Sequence, residues 1–317
     1  MHLLPRGAVF ALLLAGLAPA MRADTLVRYH TDIQTAPVIP AAVLDQVMGG
    51  MRDAVIRIKG NKTYTSQGNL ISITDWMTQE LILMDPAHKR FATTPSGQYA
   101  EQLKSAIPAM PDQARAALAS LKTNFESRST GQTATIQGIE AEEREFVLTM
   151  DMALPGGPQS SSPLMKMVMQ VWTAKPEEVE RVAALREFKN YMTSASSAMN
   201  PAEMLKQVLN IMPGMGDNLN AMAGEMNGAL SLRMHVEVFM PILAMMSQQL
   251  PPQPGQTQPA RLDPNAALMQ MNQELVELSS DPLEDALFVV PADYQQTSVD
   301  VILKGAISAA APPQFKQ

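Results

Sequence analysis

Four histidines are the first side chains to consider as metal ligands or catalytic bases: His2, His30, His88 and His235. Zinc sites that can be recognised from sequence contain histidine pairs such as H-x-x-x-H or H-E-x-x-H, which place both rings on one face of a helix. No histidine of this chain has such a neighbour. The chain also has no Cys, which excludes disulfides, thiolate ligands and thiol nucleophiles. We therefore interpret the histidines as surface or structural residues and predict no metal site.

Short motifs that organise well-known active sites are missing from the sequence. It contains no G-x-S-x-G elbow, no Walker loop and no G-x-G-x-x-G motif. Glycines occur between residues 212 and 216, but they follow a predicted helix. A glycine-rich loop that binds phosphate lies before the N-terminus of a helix. The Asp-Pro pairs at residues 85–86 and 281–282 are typical turn formers. The sequence therefore predicts a protein that is not an enzyme and that uses no cofactor.

Acidic residues cluster around Arg144, a pattern that could bind calcium through carboxylate oxygens. It is more typical of a strand that begins in solvent, and we favour this second interpretation. The acidic residues are Glu140, Glu142, Glu143 and Glu145.

Methionine is the chemically unusual residue: the chain has 25 Met, whereas only 5% of its residues are aromatic. Three interpretations compete. Methionine can fill a core as a flexible substitute for aromatic rings, it can form a soft surface that adapts to lipid or acyl chains, or thioethers can capture Cu(I). The third lacks supporting His or Cys ligands. The second predicts an apolar cavity whose candidate lining residues are Met150, Met165, Met167, Met169 and Met234.

The first third of the chain after residue 24 contains short β-branched segments separated by tight turns, such as Gly60-Asn61 and Gly68-Asn69. Because these turns leave no room for crossover helices, the strands must pair as an antiparallel meander. Six strands are predicted, at residues 25–33, 54–59, 62–66, 70–75, 81–84 and 90–93.

The rest of the chain mixes helical and extended patterns. Pro176 and the acidic residues behind it open a long helix to about Met192, within a helical block at residues 176–228. Further helices are predicted at 98–107 and 112–121, and further strands at 133–139, 145–152, 165–172, 232–238 and 267–278. A Pro-rich insert at 250–264 and a disordered tail at 306–317 complete the prediction of one α+β domain over residues 24–305.

Residues 1–23 have the pattern of a secretory signal peptide. Arg6 precedes an apolar run at residues 8–18, which is shorter than the roughly 20 residues of a membrane span. Cleavage is expected after Ala20 or Ala23, and no Cys is available for a lipid anchor. We expect a soluble periplasmic protein, or an extracellular one in a cell without a periplasm. Its net charge of −7 argues against nucleic acid as a partner.

Three stretches resemble the LolA-like superfamily of periplasmic lipoprotein carriers, in a bacterial branch known only as a domain of unknown function. The resemblance implies a strongly curved antiparallel sheet, an incomplete barrel, covered by helices over an apolar cavity. It also implies a lipid or lipoprotein ligand, although the chain is longer than the carriers and shows no matched acyl-binding positions. The stretches are Val55-Ile56-Arg57-Ile58-Lys59-Gly60-Asn61-Lys62 through Asp85-Pro86-Ala87-His88-Lys89-Arg90-Phe91, Trp172-Thr173-Ala174-Lys175-Pro176, and Asp281-Pro282-Leu283 through Leu287-Phe288-Val289-Val290-Pro291-Ala292-Asp293-Tyr294.

Two functions are compatible with these features. The first is an exported binding protein that holds an apolar ligand in a half-barrel cavity. The second is an envelope structural or protein-interaction module without a small-molecule ligand, in which the helical block and the Pro-rich insert contact a partner.

Overall fold

The computed structural model describes residues 24–36, 52–106, 121–152, 163–194, 229–241 and 263–310, together with residues 221, 224 and 225. The predicted signal peptide lies outside these ranges. So do most of the predicted helix at 112–121, most of the helical block after residue 194 and most of the Pro-rich insert. Within the described part of the chain, no helix is long and apolar enough to cross a membrane.

One open, mixed sheet contains all twelve described strands. Its spatial order is β12-β6-β5-β4-β3-β2-β1-β11-β10-β9-β8-β7, and every neighbouring pair is antiparallel except β12 with β6. The strands are β1 (Thr25–Thr35), β2 (Asp53–Lys59), β3 (Lys62–Gln67), β4 (Leu70–Asp75), β5 (Glu80–Asp85), β6 (Arg90–Pro95), β7 (Leu121–Ile136), β8 (Ile139–Met152), β9 (Met165–Ala174), β10 (Ser231–Phe239), β11 (Met269–Ser279) and β12 (Gln295–Gln296).

The predicted meander is confirmed, because β1 to β6 pair in sequence order. Gly60 and Gly68 stand in its tight turns with φ of 59° and 58°, a left-handed backbone that glycine adopts without steric cost. The coarse α+β class is confirmed as well, since a few helices accompany the sheet.

The region after residue 120 differs from the prediction. Residue 121 begins a strand and does not end a helix. The strands predicted at 133–139 and 145–152 are confirmed except for a turn at residues 137–138, but the observed strands are longer than predicted. β7 and β8 form one long hairpin around a turn at Gln137 and Gly138. The first half of β7 escaped recognition because it is polar and lies at the sheet edge, where half of its side chains are exposed to solvent.

Four helices are described: α1 (Tyr99–Ala106), α2 (Pro176–Arg181), α3 (Ala183–Ser194) and α4 (Val299–Ala310). The single helix expected from Pro176 to about Met192 is interrupted at Val182, whose φ of −97° and ψ of 112° are extended. Helix α4 continues past Gly305, into the segment where the sequence predicts a disordered tail.

The main core forms where α3 packs against β1 and β2. A second cluster forms where α1 and α4 pack together and α4 covers β5 and β6. Prominent buried members of the main core are Val27, Tyr29, Leu185, Phe188, Tyr191, Leu232 and Leu275. Those of the second cluster include Leu81, Leu83, Ala92, Ile302 and Leu303.

Polar contacts fasten the segment after β11 to the beginning of the sheet. The Lys59 ammonium group lies 2.8 Å from an Asp285 carboxylate oxygen and donates to the Leu283 carbonyl oxygen. The Leu283 backbone N–H donates to Asp24 at 2.7 Å. The closing motif at residues 281–288 is therefore held by Asp24, just before β1, and by Lys59 of β2, and it contains a 3-10 helix at Asp285–Phe288.

Candidate functional site

The five methionines named as candidates lie on one face of neighbouring strands. Met150 of β8 stands directly opposite Met165 of β9, and Met167 and Met169 follow Met165 at every second position. Met234 of β10 stands opposite Val171 of β9. Because alternate residues of a strand share a face, this register brings all five side chains to the same side of the sheet.

Larger apolar residues complete this surface, which we call the methionine face. Phe146 is opposite Met169, and Leu148 is opposite Met167. These two residues are absent from the predicted cavity lining, although the alternation in 145–152 places them on the same face as Met150. The members besides the five methionines include Phe125, Phe146, Leu148, Val171, Val236 and Val238.

The centre of the methionine face is covered in this structure. Met150 and Met169 are only 5% and 8% exposed, and Phe146 is fully buried. Met165, Met167 and Met234 are partly buried. The face forms apolar clusters distinct from the main core under α3. It is thus a separate, methionine-rich packing surface at the β7 end of the sheet.

Strand β8 buries opposite faces in its two halves. Its early residues contribute to the main core, whereas its late residues belong to the methionine face. The exchange occurs between Glu143 and Phe146, which point to opposite faces of the strand. The buried residues of β8 are Ile139, Ala141 and Glu143 on one face and Phe146, Leu148 and Met150 on the other.

A polar group borders the methionine face at this exchange point. Arg144 and Ser127 share the face of Phe146, since Ser127 is directly opposite Phe146 and Arg144 is two residues away along β8. The Glu225 carboxylate binds both side chains: Ser127 Oγ lies 2.5 Å from Oε1, and Arg144 Nη1 donates to Oε2. The hydrogen bond from Ser127, followed by that from Arg144, lowers the pKa of Glu225.

Glu143 contradicts the interpretation of the acidic cluster as wholly solvated. Its side chain is buried, and its Oε1 atom has no hydrogen-bond partner among the described residues. Residues 130–132 of β7 bulge out opposite it. Burial raises the pKa of Glu143, repulsion from Glu145 raises it further, and Thr130 and Arg128 oppose the shift. No group of three or more carboxylate or imidazole side chains suited to a metal occurs in the described part of the chain.

We expect Glu143→Gln to stabilise the protein at pH 7 by about 1–2 kcal/mol, because the buried position disfavours the charged form of Glu143 and glutamine carries no charge. The ordinary pKa is 4.5, and the native pKa is raised. The wild-type carboxyl therefore favours the fold fully below pH 4.5, and this advantage is lost as the pH rises through the native pKa. Urea denaturation at pH 4 and pH 7 measures the difference, which should vanish at pH 4. An equal effect at both pH values, or a similar effect of Glu142→Gln at an exposed site, would contradict this assignment.

On β1, β2, β10 and β11, the face opposite the methionine face is polar, and its side chains form hydrogen bonds with one another. His30 Nδ1 lies 3.0 Å from an Asp53 carboxylate oxygen, and His235 Nδ1 lies 2.6 Å from Asn272 Oδ1. The contact with Asp53 is the main cause that raises the pKa of His30. His88 pairs with Asp85 at 2.8 Å in the turn after β5. The structure thus places these three histidines in separate hydrogen-bonded pairs.

A cleft of about 530 Å³ opens where β1 and β10 end and β11 begins. Its lining is mainly polar and includes Gln34, Glu237, Phe239, Asn265 and Gln270. Gln270 donates to Glu237 at 3.0 Å. None of the five candidate methionines lines this cleft.

No model of a known protein family matches this chain, and no curated protein matches it. The likeness to lipoprotein carriers therefore rests on the sequence motifs and stays a prediction. The features of this chain that bear on function are the methionine face, its polar border and the sheet that carries them.

Proposed function

We propose that this chain is an exported, non-enzymatic protein that binds an apolar ligand, such as a lipid, an acyl chain or a lipoprotein, at the methionine face. The observation that carries the proposal is the continuity of this face. Methionine, phenylalanine and valine side chains from β7 to β10 form it without a break, and it is separate from the main core.

The dimensions of the face suit an extended hydrocarbon chain. From Arg144 to Met150, β8 advances about 20 Å at roughly 3.3 Å per residue. Four adjacent strands give it a width of about 14 Å at ~4.8 Å per strand spacing. Each buried methylene stabilises a complex by about 0.8 kcal/mol. An acyl chain on this surface therefore needs no charged clamp for its hydrocarbon part.

The residue types favour adaptation over rigid packing. Methionine has three rotatable bonds and a polarizable sulfur atom, so it repacks around different apolar shapes. The central side chains are buried in the present structure, so a ligand has to enter by repacking the side chains of this surface. Because the main core is a different cluster, such an exchange leaves the packing of α3 on β1 and β2 in place. An open sheet that is almost wholly antiparallel also accords with the incomplete barrel implied by the family resemblance.

The test is the binding of a fluorescent fatty-acid probe to delipidated protein. We expect saturable binding, and about tenfold weaker binding by Met167→Gln, because the substitution keeps the side-chain length but adds a polar amide to the face. Met167 belongs to both apolar clusters of the face. The matched control is Met77→Gln, since Met77 is 80% exposed in the turn after β4.

The control variant should bind like the wild type. Absence of saturable binding at micromolar concentrations, together with absence of lipid in mass spectra of the purified protein, would refute the proposal. Equal weakening by both substitutions would show that the probe does not use the methionine face.

A further inference from the structure

Arg144 and Ser127 form the polar border of the methionine face. They resemble a binding site for a ligand head group, which is occupied by the protein's own Glu225 side chain. Within the described residues of β7, β8, β9 and β10, Arg144 is the one basic residue on this face. It stands two residues before Phe146, so its guanidinium group lies next to the beginning of the apolar surface. Its side chain is 41% exposed, which leaves it accessible from solvent.

The partner of Arg144 comes from far away in the sequence. Arg128 and Arg233 on the opposite face pair with Glu145 and Glu274 of neighbouring strands. Arg144 instead pairs with Glu225, which is 81 residues away and belongs to no strand of the sheet. Arg144 thus lacks a partner within these strands and receives a carboxylate from outside the sheet.

Each oxygen of the Glu225 carboxylate accepts a hydrogen bond from the polar border, and the carboxylate of a ligand could accept the same two hydrogen bonds. One oxygen accepts from Ser127 Oγ, and the other accepts from the Arg144 guanidinium group. A carboxylate that receives two donors on its two oxygens is held with both distance and orientation defined. The Glu225 side chain is 32% exposed, so solvent and solutes can reach the pair.

We propose that the ligand of the methionine face is a long-chain fatty acid, whose carboxylate displaces Glu225 from Arg144 and Ser127. This inference rests on the function proposed above and defines its ligand class. The head group occupies the polar border, and the hydrocarbon chain runs from Phe146 toward Met150 along β8. Glu225 competes with the ligand for the same donors, so it keeps the border satisfied when the face carries no ligand.

The experiment compares a fatty acid with its methyl ester, which has the same chain but no charge. Calorimetric titrations with hexadecanoic acid and methyl hexadecanoate would use the full mature chain after delipidation. We expect the acid to bind at least tenfold more tightly than the ester. Arg144→Gln should remove this preference, whereas Glu225→Gln should strengthen acid binding severalfold and thereby widen the preference for the acid over the ester.

The matched control is Arg233→Gln, because Arg233 is 40% exposed and ion-paired on the opposite face. It should keep the wild-type preference for the acid. Equal binding of acid and ester by the wild type, or equal weakening of both ligands by Arg144→Gln, would overturn this inference and leave the proposed function standing. Binding of neither ligand would overturn both. Since Glu225→Gln leaves the sheet residues intact, it tests the competition even if Arg144→Gln fails to fold.

Discussion

Phe146→Ala should lower the free energy of unfolding by about 3–5 kcal/mol. Phe146 is fully buried at the centre of the methionine face. Its ring stacks on Phe125, with the ring centroids 6.0 Å apart. Removal of the ring loses hydrophobic burial, and the cavity left behind adds to the cost. Urea denaturation followed by circular dichroism measures the change.

Val289→Ala serves as the control, because Val289 is 53% exposed. It should change the free energy of unfolding by less than about 0.5 kcal/mol. A loss below about 1 kcal/mol for Phe146→Ala would show that the face is loosely covered and contributes little to stability. If the proposed function holds, a saturating fatty acid should recover part of the deficit, since ligand binding to the native state stabilises it.

Tyr191→Ala should destabilise the protein by a similar amount, about 3–5 kcal/mol, because it detaches α3 from the sheet. The Tyr191 ring meets Trp76 edge to face at 5.0 Å and lies 6.1 Å from Phe188. Tyr191 is 9% exposed, and Trp76 comes from the turn between β4 and β5. The contact therefore joins the helix to a distant part of the meander.

Tryptophan fluorescence during urea denaturation reports this change, since the chain contains two Trp residues. Tyr191→Phe is the matched control, because it keeps the ring contacts and removes only the hydroxyl group. It should cost about 1 kcal/mol or less. If both variants lost the same stability, the hydroxyl group rather than ring packing would hold the helix.

The early meander was predictable because each strand carries its own local signal. Ile56 and Ile58 alternate with charged residues, and Gly60 marks the turn through its left-handed backbone. The hairpin of β7 and β8 was only half predictable. Its polar first strand is stabilised by pairing with β8 rather than by its own propensity, so single-sequence patterns do not reveal it.

The candidate site was predictable as a set of methionines but not as a surface. Alternation placed Met165, Met167 and Met169 on one face, and the structure adds that Met150 faces Met165 across the strands. The partnership of Arg144 with Glu225 depends on contacts over 81 residues, which no local pattern records. Burial of Glu143 follows from a bulge in the neighbouring strand, and its position amid other acids pointed to solvent instead.

The short parallel strand β12 has a consequence for how copies of this protein can meet. An open sheet has two edges, and each long edge is a template for another strand. At one edge, β12 contributes only Gln295 and Gln296 beside β6, which is too short to template a long strand. At the other edge, β7 offers 16 residues. Among the described strands, β7 is therefore the one edge long enough to pair with another copy, and pairing from β7 to β7 closes at two molecules instead of propagating into a fibre.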